Sequence, residues 1–303
     1  MNLRALVVLA AVTTAAAGCG SSPGGSTSPA GPRPAATVQY CTDGGRALSL
    51  DLYEPGGGGP HPLLIFVHGG SWAFGSSSIV EQNQLTQQVV GGVLRRGFAV
   101  ASINYRLAPA DPWPAQIIDV RCAIRYLRAS AASFGIDPRR FAAMGNSAGG
   151  QLVSLAALSA GQVPAWDTRQ FGAESSSVAA VVDCWGPVDL LAPGWSNTAL
   201  EIGKLEFRVS WGTQNGTLAA ASPVTYGHGG APPFLIIQGT ADALVPPAQS
   251  VELRNRLTAA GDRATLIEVS HGAHELIPSG GAISPDVATL ARQTVDFLVA
   301  TVG

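Results

Sequence analysis

Three short stretches of this chain hold residue types that could together carry nucleophilic catalysis at a carbonyl carbon. The first is Gly145-Asn146-Ser147-Ala148-Gly149, a G-x-S-x-G pattern. It lies between an apolar run at 140–144 and a small-residue run at 150–160. Strand, sharp turn, helix is the context that lets such a pattern push a serine hydroxyl out at the end of a strand. The flanking glycines lack a Cβ, so the turn can form and strand and helix can approach closely. The Ala148 amide would then sit at a helix N-terminus, able to donate to an oxyanion. Taken alone, the pattern is equally compatible with chance, because Gly, Ser and Ala are abundant here.

A serine alcohol is a weak nucleophile unless a base takes its proton, and that base needs an orienting acid. The pattern therefore predicts an acid and a histidine further along, each just after a strand. Asp242 follows the apolar run 234–238, within Gln238-Gly239-Thr240-Ala241-Asp242. His274 follows the run 264–269, within Ser270-His271-Gly272-Ala273-His274. Asp242 alone could be a loop carboxylate capping a helix, and either histidine a surface residue; the ordered set is what gives them weight. His271 competes with His274, and the deeper position in the loop favours His274. The third stretch is His68-Gly69-Gly70-Ser71-Trp72, directly after the run 63–67. Two adjacent glycines let backbone amides turn inward. Gly70 and Ser71 would act with Ala148 as oxyanion donors, and His68 would hold the loop rather than move protons. The bland alternative is a tight turn over a buried Trp72.

These residues need a scaffold that brings several strand ends together. Strand candidates fall at 38–41, 47–53, 63–67, 98–103, 141–144, 178–183, 234–238 and 264–269. Asp43-Gly44-Gly45 reads as a hairpin turn between the first two. Helical spacing appears at 85–96, 114–133, 247–260 and 286–299. Alternating strands and helices imply a mostly parallel sheet covered on both faces, with ligands bound beyond the carboxyl ends of the strands.

The 303 residues give ample core for one or two domains. Charged residues make up 13%, the formal net charge is −2, and there is no Lys/Arg run, which argues against nucleic-acid binding. Residues 1–18 read as a signal peptide, with a positive start and an apolar stretch too short to be a final membrane anchor. Its end, Ala16-Ala17-Gly18-Cys19, is similar to a bacterial lipobox with Cys19 as the lipidated residue, although leucine is usual where Ala16 stands. Residues 19–36 are rich in Gly, Ser, Pro and Thr and read as a tether. The folded domain is expected at 37–303 and exported, held to a membrane only through that lipid or, if the signal is cleaved in the ordinary way, secreted. Among Cys41, Cys122 and Cys184, two could pair, and the sequence does not choose which. No Cys/His cluster has zinc spacing, so no metal site is expected.

Taken together, His68-Gly69-Gly70-Ser71-Trp72, Asn104-Tyr105-Arg106-Leu107-Ala108-Pro109, Gly145-Asn146-Ser147-Ala148-Gly149-Gly150 and Gly239-Thr240-Ala241-Asp242 with Val245-Pro246 resemble the α/β-hydrolase superfamily. Within it, they resemble esterases grouped around hormone-sensitive lipase and the bacterial feruloyl and acetylxylan esterases. The resemblance covers roughly residues 38–299. It implies an α/β-hydrolase fold with a short N-terminal hairpin, a Ser147–His274–Asp242 triad, no cofactor, and a small or polysaccharide-linked ester as substrate. It also implies that Tyr105, Arg106 and Asp119 brace the oxyanion loop. Departures from the pattern are Asn146, where Asp is frequent, and a His-Gly-Ala-His loop in place of Gly-x-Gly-His. Any lid must come mainly from residues 185–230, whose Trp195, Phe207, Trp211 and Tyr226 could line a substrate cleft or form the core of a small subdomain. Rival readings are an aryl-formamidase-like amide hydrolase and a non-catalytic binding lipoprotein on the same scaffold.

Overall fold

The computed structural model describes residues 32–303 apart from Gly44 and His228. The expected signal peptide, the Cys19 site, most of the tether and His228 therefore lie outside the described residues. Eight strands form one sheet: β1 (Ala36–Asp43), β2 (Arg46–Tyr53), β3 (His61–Val67), β4 (Ala99–Ile103), β5 (Ile136–Asn146), β6 (Ala180–Cys184), β7 (Phe234–Gly239) and β8 (Ala264–Val269). Their spatial order is β1-β2-β4-β3-β5-β6-β7-β8. The β1–β2 and β2–β4 pairs are antiparallel, and every pair from β4 onward is parallel. This is the doubly covered, mostly parallel sheet with an N-terminal hairpin that the motifs led us to expect.

Strand β3 shows why the sheet is buried on both sides. Its period-two pleat sends Leu63, Ile65 and Val67 into one apolar cluster and Leu64 and Phe66 into the other. The first cluster is closed by α2 (Ala115–Ala129), α3 (Ala148–Leu158) and α6 (Ala248–Ala259). The second is closed by α1 (Gln84–Arg95) and α7 (Val287–Val302), whose Val89 and Val93 meet Ala291, Val295 and Leu298. Both α1 and α7 begin at a side-chain cap: Asn83 accepts from the Thr86 amide and Asp286 from the Thr289 amide. Helix α3 is different. Every residue from Ala148 to Leu158 is buried, so it is apolar all round and passes through the core.

The expected 114–133 helix stops at Ala129, and residues 130–135 form tight turns ending on Gly135 at φ 60°. The segment 185–230 folds as α4 (Asn197–Phe207), α5 (Gly216–Ala221) and connecting turns. Trp195, Phe207 and Trp211 are buried there, and Phe207 and Trp211 meet the ring of Trp72 edge-on at 5.4 and 5.9 Å. The aromatic residues are thus core rather than the lining of a cleft; only Tyr226 stays half-buried, edge-on to Trp166.

A disulfide joins Cys41 on β1 to Cys122 on α2, and Cys184 is free and buried. The bond closes a loop across 81 positions of sequence. In the chain-entropy account, closing a loop of that size stabilises the folded state by about 4.5 kcal/mol at most. We expect Cys41→Ser with Cys122→Ser to lose roughly 2–4 kcal/mol of unfolding free energy in urea. Native protein should offer no rapidly reacting thiol among its described residues, and one after unfolding without reductant.

Candidate active site

The serine turn is set by backbone contacts at the end of β5. Ser147 sits at φ 52° and ψ −117°, a conformation L-residues seldom adopt. Its amide donates to the Cys184 carbonyl at 2.8 Å, which ties the turn to β6. A Cβ on Gly149 would stand 2.0 Å from the Val67 carbonyl oxygen, so only glycine lets α3 start this close to β3. Asn146 turns away from the serine. Its Nδ2 donates to Thr86 Oγ1 on α1 at 2.8 Å, where a carboxylate could only accept.

Two loops deliver Asp242 and His274. Asp242 follows β7 and is buried, and its Oδ1 accepts from the amides of Leu244 and Val245, both at 2.9 Å. Its Oδ2 accepts from Gln238 Nε2 at 3.2 Å and from His274 Nδ1 at 2.8 Å. A proton on Nδ1 leaves Nε2 as the acceptor, and Ser147 Oγ donates to it at 3.0 Å. The structure therefore brings Ser147, His274 and Asp242 into one hydrogen-bonded chain. His271 is exposed, with its carbonyl taken by the Ser279 amide at 2.7 Å, so His274 is the histidine that meets the serine. The two loops are joined through backbone. The Thr240 amide donates to Val269 at 3.0 Å and the Ala241 amide to Gly272 at 2.9 Å.

The loop after β3 lies against the serine: a Cβ on Gly69 would be 2.8 Å from the Asn146 carbonyl oxygen and 3.4 Å from Ser147 Cβ. Gly70, Ser71 and Trp72 all have positive φ, and the amides of Ala73 and Phe74 close back on the Gly70 carbonyl. Among the described residues, the amides of Gly70, Ser71 and Ala148 donate to no protein group. Unspent donors next to a serine hydroxyl are what an oxyanion requires.

The bracing is carried by named bonds. Tyr105 Oη donates to the His68 carbonyl at 3.0 Å, and its ring stacks on His68 at 4.2 Å. His68 Nδ1 donates to the Gly69 carbonyl at 2.7 Å, and burial lowers its pKa to about 4, against a smaller upward pull from that bond. His68 is thus neutral and structural at neutral pH. Arg106 clasps Asp119 through Nε and Nη2, with Nη2 2.7 Å from Oδ1, while the Arg106 amide donates to Asp119 Oδ2 at 2.8 Å. Trp72 Nε1 donates to Gln151 Oε1, and Gln151 Nε2 reaches the Ala221 carbonyl at 2.7 Å, linking loop, α3 and α5.

Three buried carboxyl groups, Asp137, Asp183 and Glu206, were not singled out in the sequence, and the last two lie without a cationic partner among the described residues. Asp183 at the end of β6 accepts from Ser154 Oγ at 2.6 Å and from the Gly186 amide at 2.9 Å; burial raises its pKa to about 6 against both bonds. Glu206 on α4 is fully buried beside Phe207, with Gln116 Nε2 3.4 Å from its Oε2 and no partner for its Oε1. Burial raises its pKa from 4.5 to about 9, so it is a neutral acid at pH 7. Nothing in the local sequence separates Glu206 from Glu201, five positions earlier on the same helix and exposed to Lys204.

Known proteins provide an independent comparison. The family model BD-FAE matches residues 50–257. Esterase LipQ of Mycobacterium tuberculosis is 31% identical over 260 residues, which is 84% of this chain and 60% of LipQ. Esterase LipC of the same organism is 36% identical over 203 residues, 66% of this chain and 49% of LipC. The chain thus spans about half the length of the curated relatives it matches. Among solved structures, a truncated carbohydrate esterase from gut microbiota superposes with a TM-score of 0.72 at 27% identity, covering 89% of this chain and 98% of that one.

The neutral Glu206 has a consequence for stability. The folded chain holds its proton up to about pH 9, whereas the unfolded chain releases it near 4.5. Folding then takes up a proton between those values, so this contribution is complete below about 4.5 and is lost as pH rises toward 9. We expect the melting temperature to decline across that window and to decline less in Glu206→Gln, as read by calorimetry from pH 5 to 9.

Proposed function

The chain belongs to the BD-FAE family, and from that premise we propose that it is a serine carboxylic-ester hydrolase acting on short-chain acyl or aryl esters. The carrying observation is the bond chain from Ser147 Oγ through both nitrogens of His274 to Asp242. Ser147 Oγ attacks the ester carbonyl as its proton passes to His274 Nε2. The amides of Gly70, Ser71 and Ala148 receive the oxygen as it becomes negative. Asp242 fixes the tautomer of His274 and stabilises the imidazolium, held in turn by the Leu244 and Val245 amides. Collapse breaks the bond to the alcohol, which leaves with the proton from His274, and the acyl group stays on Ser147. Water then gives a proton to His274 and attacks the acyl-enzyme, releasing the acid and restoring the serine.

The names of the relatives, two esterases and a carbohydrate esterase, support the ester bond and keep a sugar-linked ester within the substrate class. Export with lipid at Cys19 belongs to the same proposal. The Cys41–Cys122 bond supports it, since such bonds persist in oxidising compartments. Palmitate labelling in a bacterial host should mark the wild type and spare Cys19→Ala; equal labelling would remove the lipid reading.

The test of the activity is turnover of 4-nitrophenyl acetate, butyrate and octanoate. Ser147→Ala should lose roughly 10⁴-fold or more in kcat, and Asp242→Asn about 10⁴-fold, with melting temperatures near wild type. Wild-type inactivity on all three esters, or a Ser147→Ala variant that keeps more than a trace, would sink the reading.

A further inference from the structure

The large hydrophobic side chains left exposed among the described residues are Phe74, Val80 and Ile277, at 60%, 56% and 61%. Apolar groups scattered over a surface carry no message. These are not scattered. All three fall on the segments that leave β3 and β8 at the carboxyl end of the sheet, the same end at which Ser147 leaves β5.

Two of the three are tied by a single turn to groups of the site. The Phe74 amide donates to the Gly70 carbonyl at 2.9 Å, so Phe74 is fixed to the loop whose Gly69 abuts Ser147. The Ile277 amide lies 3.4 Å from the His274 carbonyl, and the Ile277 carbonyl accepts from the Ala273 amide at 2.8 Å. Leu276, between them, is buried and anchors that turn. Phe74 and Ile277 thus sit on the two loops that meet at Ser147, the Gly69–Gly70 loop and the histidine loop, each with its side chain in solvent.

The chemistry decides which part of an ester would meet them. His274 Nε2 must hand its proton to the leaving oxygen, so that oxygen and its substituent lie on the histidine side. Ile277 is the exposed apolar group on the histidine loop, three residues beyond His274, and Phe74 is the one on the loop whose Gly69 abuts Ser147. An apolar substituent seated between them would remove both side chains from water.

We propose that Phe74 and Ile277 clamp an aryl or bulky alkyl group on the alcohol side of the ester, so that substrates are selected by their leaving group. This rests on the ester-hydrolase reading and adds the recognition of one substrate half. Phe74 and Ile277 act by binding and take no part in proton transfer.

The experiment compares Phe74→Ser, Ile277→Ser and the double variant with wild type on benzyl acetate, methyl acetate and methyl hexanoate. Benzyl and methyl alcohols are similar leaving groups chemically, so the variant-to-wild-type ratio isolates binding. We expect kcat/KM for benzyl acetate to fall about fivefold to tenfold in each single variant, and further in the double, for loss of one apolar contact. Methyl acetate and methyl hexanoate should change less than twofold. Melting temperatures should stay near wild type, because both side chains are exposed. An equal loss on methyl hexanoate would assign the residues to the acyl side and overturn the proposal. Unchanged benzyl acetate kinetics would overturn it as well. So would a loss of binding to phosphatidylglycerol vesicles with the benzyl-to-methyl ratio intact, which would make the rim a lipid contact. A wild type inactive on every ester removes the ester-hydrolase reading, and the clamp with it.

Discussion

The structure depends on one strained residue. Ser147 holds a conformation that costs on the order of 1–3 kcal/mol and persists only where its surroundings dictate it. Those surroundings are backbone on every side: the Cys184 carbonyl from β6, the Val67 carbonyl against Gly149, and the Asn146 carbonyl against Gly69. Helix α3 supplies the offsetting stability, because its whole length is buried between α2, β5 and β6. Packing far from the serine is therefore what keeps its hydroxyl at the strand end.

Around this point the protein spends very little charge. Among the described residues, the acidic side chain bonded directly into the chain of Ser147, His274 and Asp242 is Asp242 itself, and amides, Gln238 and His274 surround it. His68, directly behind the oxyanion loop, is held neutral by burial. Glu206, under the aromatic cluster that supports Trp72, is neutral too. The Arg106–Asp119 pair contributes its bracing at one remove. A low local density of fixed charge preserves the strength of the few dipoles aimed at the serine.

Much of the architecture was legible because its signals are local. The apolar run of β3 and the glycines at positions 145 and 149 answer to short-range sterics and pleat period, and the strand ends then name Asp242 and His274. What was not legible depends on packing between distant segments. Residues 136–140, ahead of the strand expected at 141–144, hold Pro138 and two arginines, yet they begin β5: Ile136 pairs with His61 in the sheet, and Asp137 pairs with Arg139 and Arg140. The partner of Cys41 follows from β1 lying beside α2, which no spacing reveals. The aromatic residues at 195–211 have the same composition whether they face a ligand or Trp72; only the course of α4 and the turn after it decides. His271 and His274 differ in sequence by three positions and in space by which of them the turn sends back toward β5. Glu206 looks like any helix-surface glutamate until α4 is docked.

The backbone bonds between the β7 and β8 loops sort the site into two sets of loops carried by one sheet, in which β6 and β7 are paired. Asp242 and His274 ride on one of them, stitched through Thr240, Ala241, Val269 and Gly272. Ser147, its turn and the Gly69–Gly70 loop ride on the other, welded by carbonyl contacts to β3, β5 and β6. Within the hydrogen-bonded chain of these three side chains, the one link across the seam is the 3.0 Å contact from Ser147 Oγ to His274 Nε2. A small displacement of one set of loops against the other would lengthen that single contact first, leaving the bonds within each set intact.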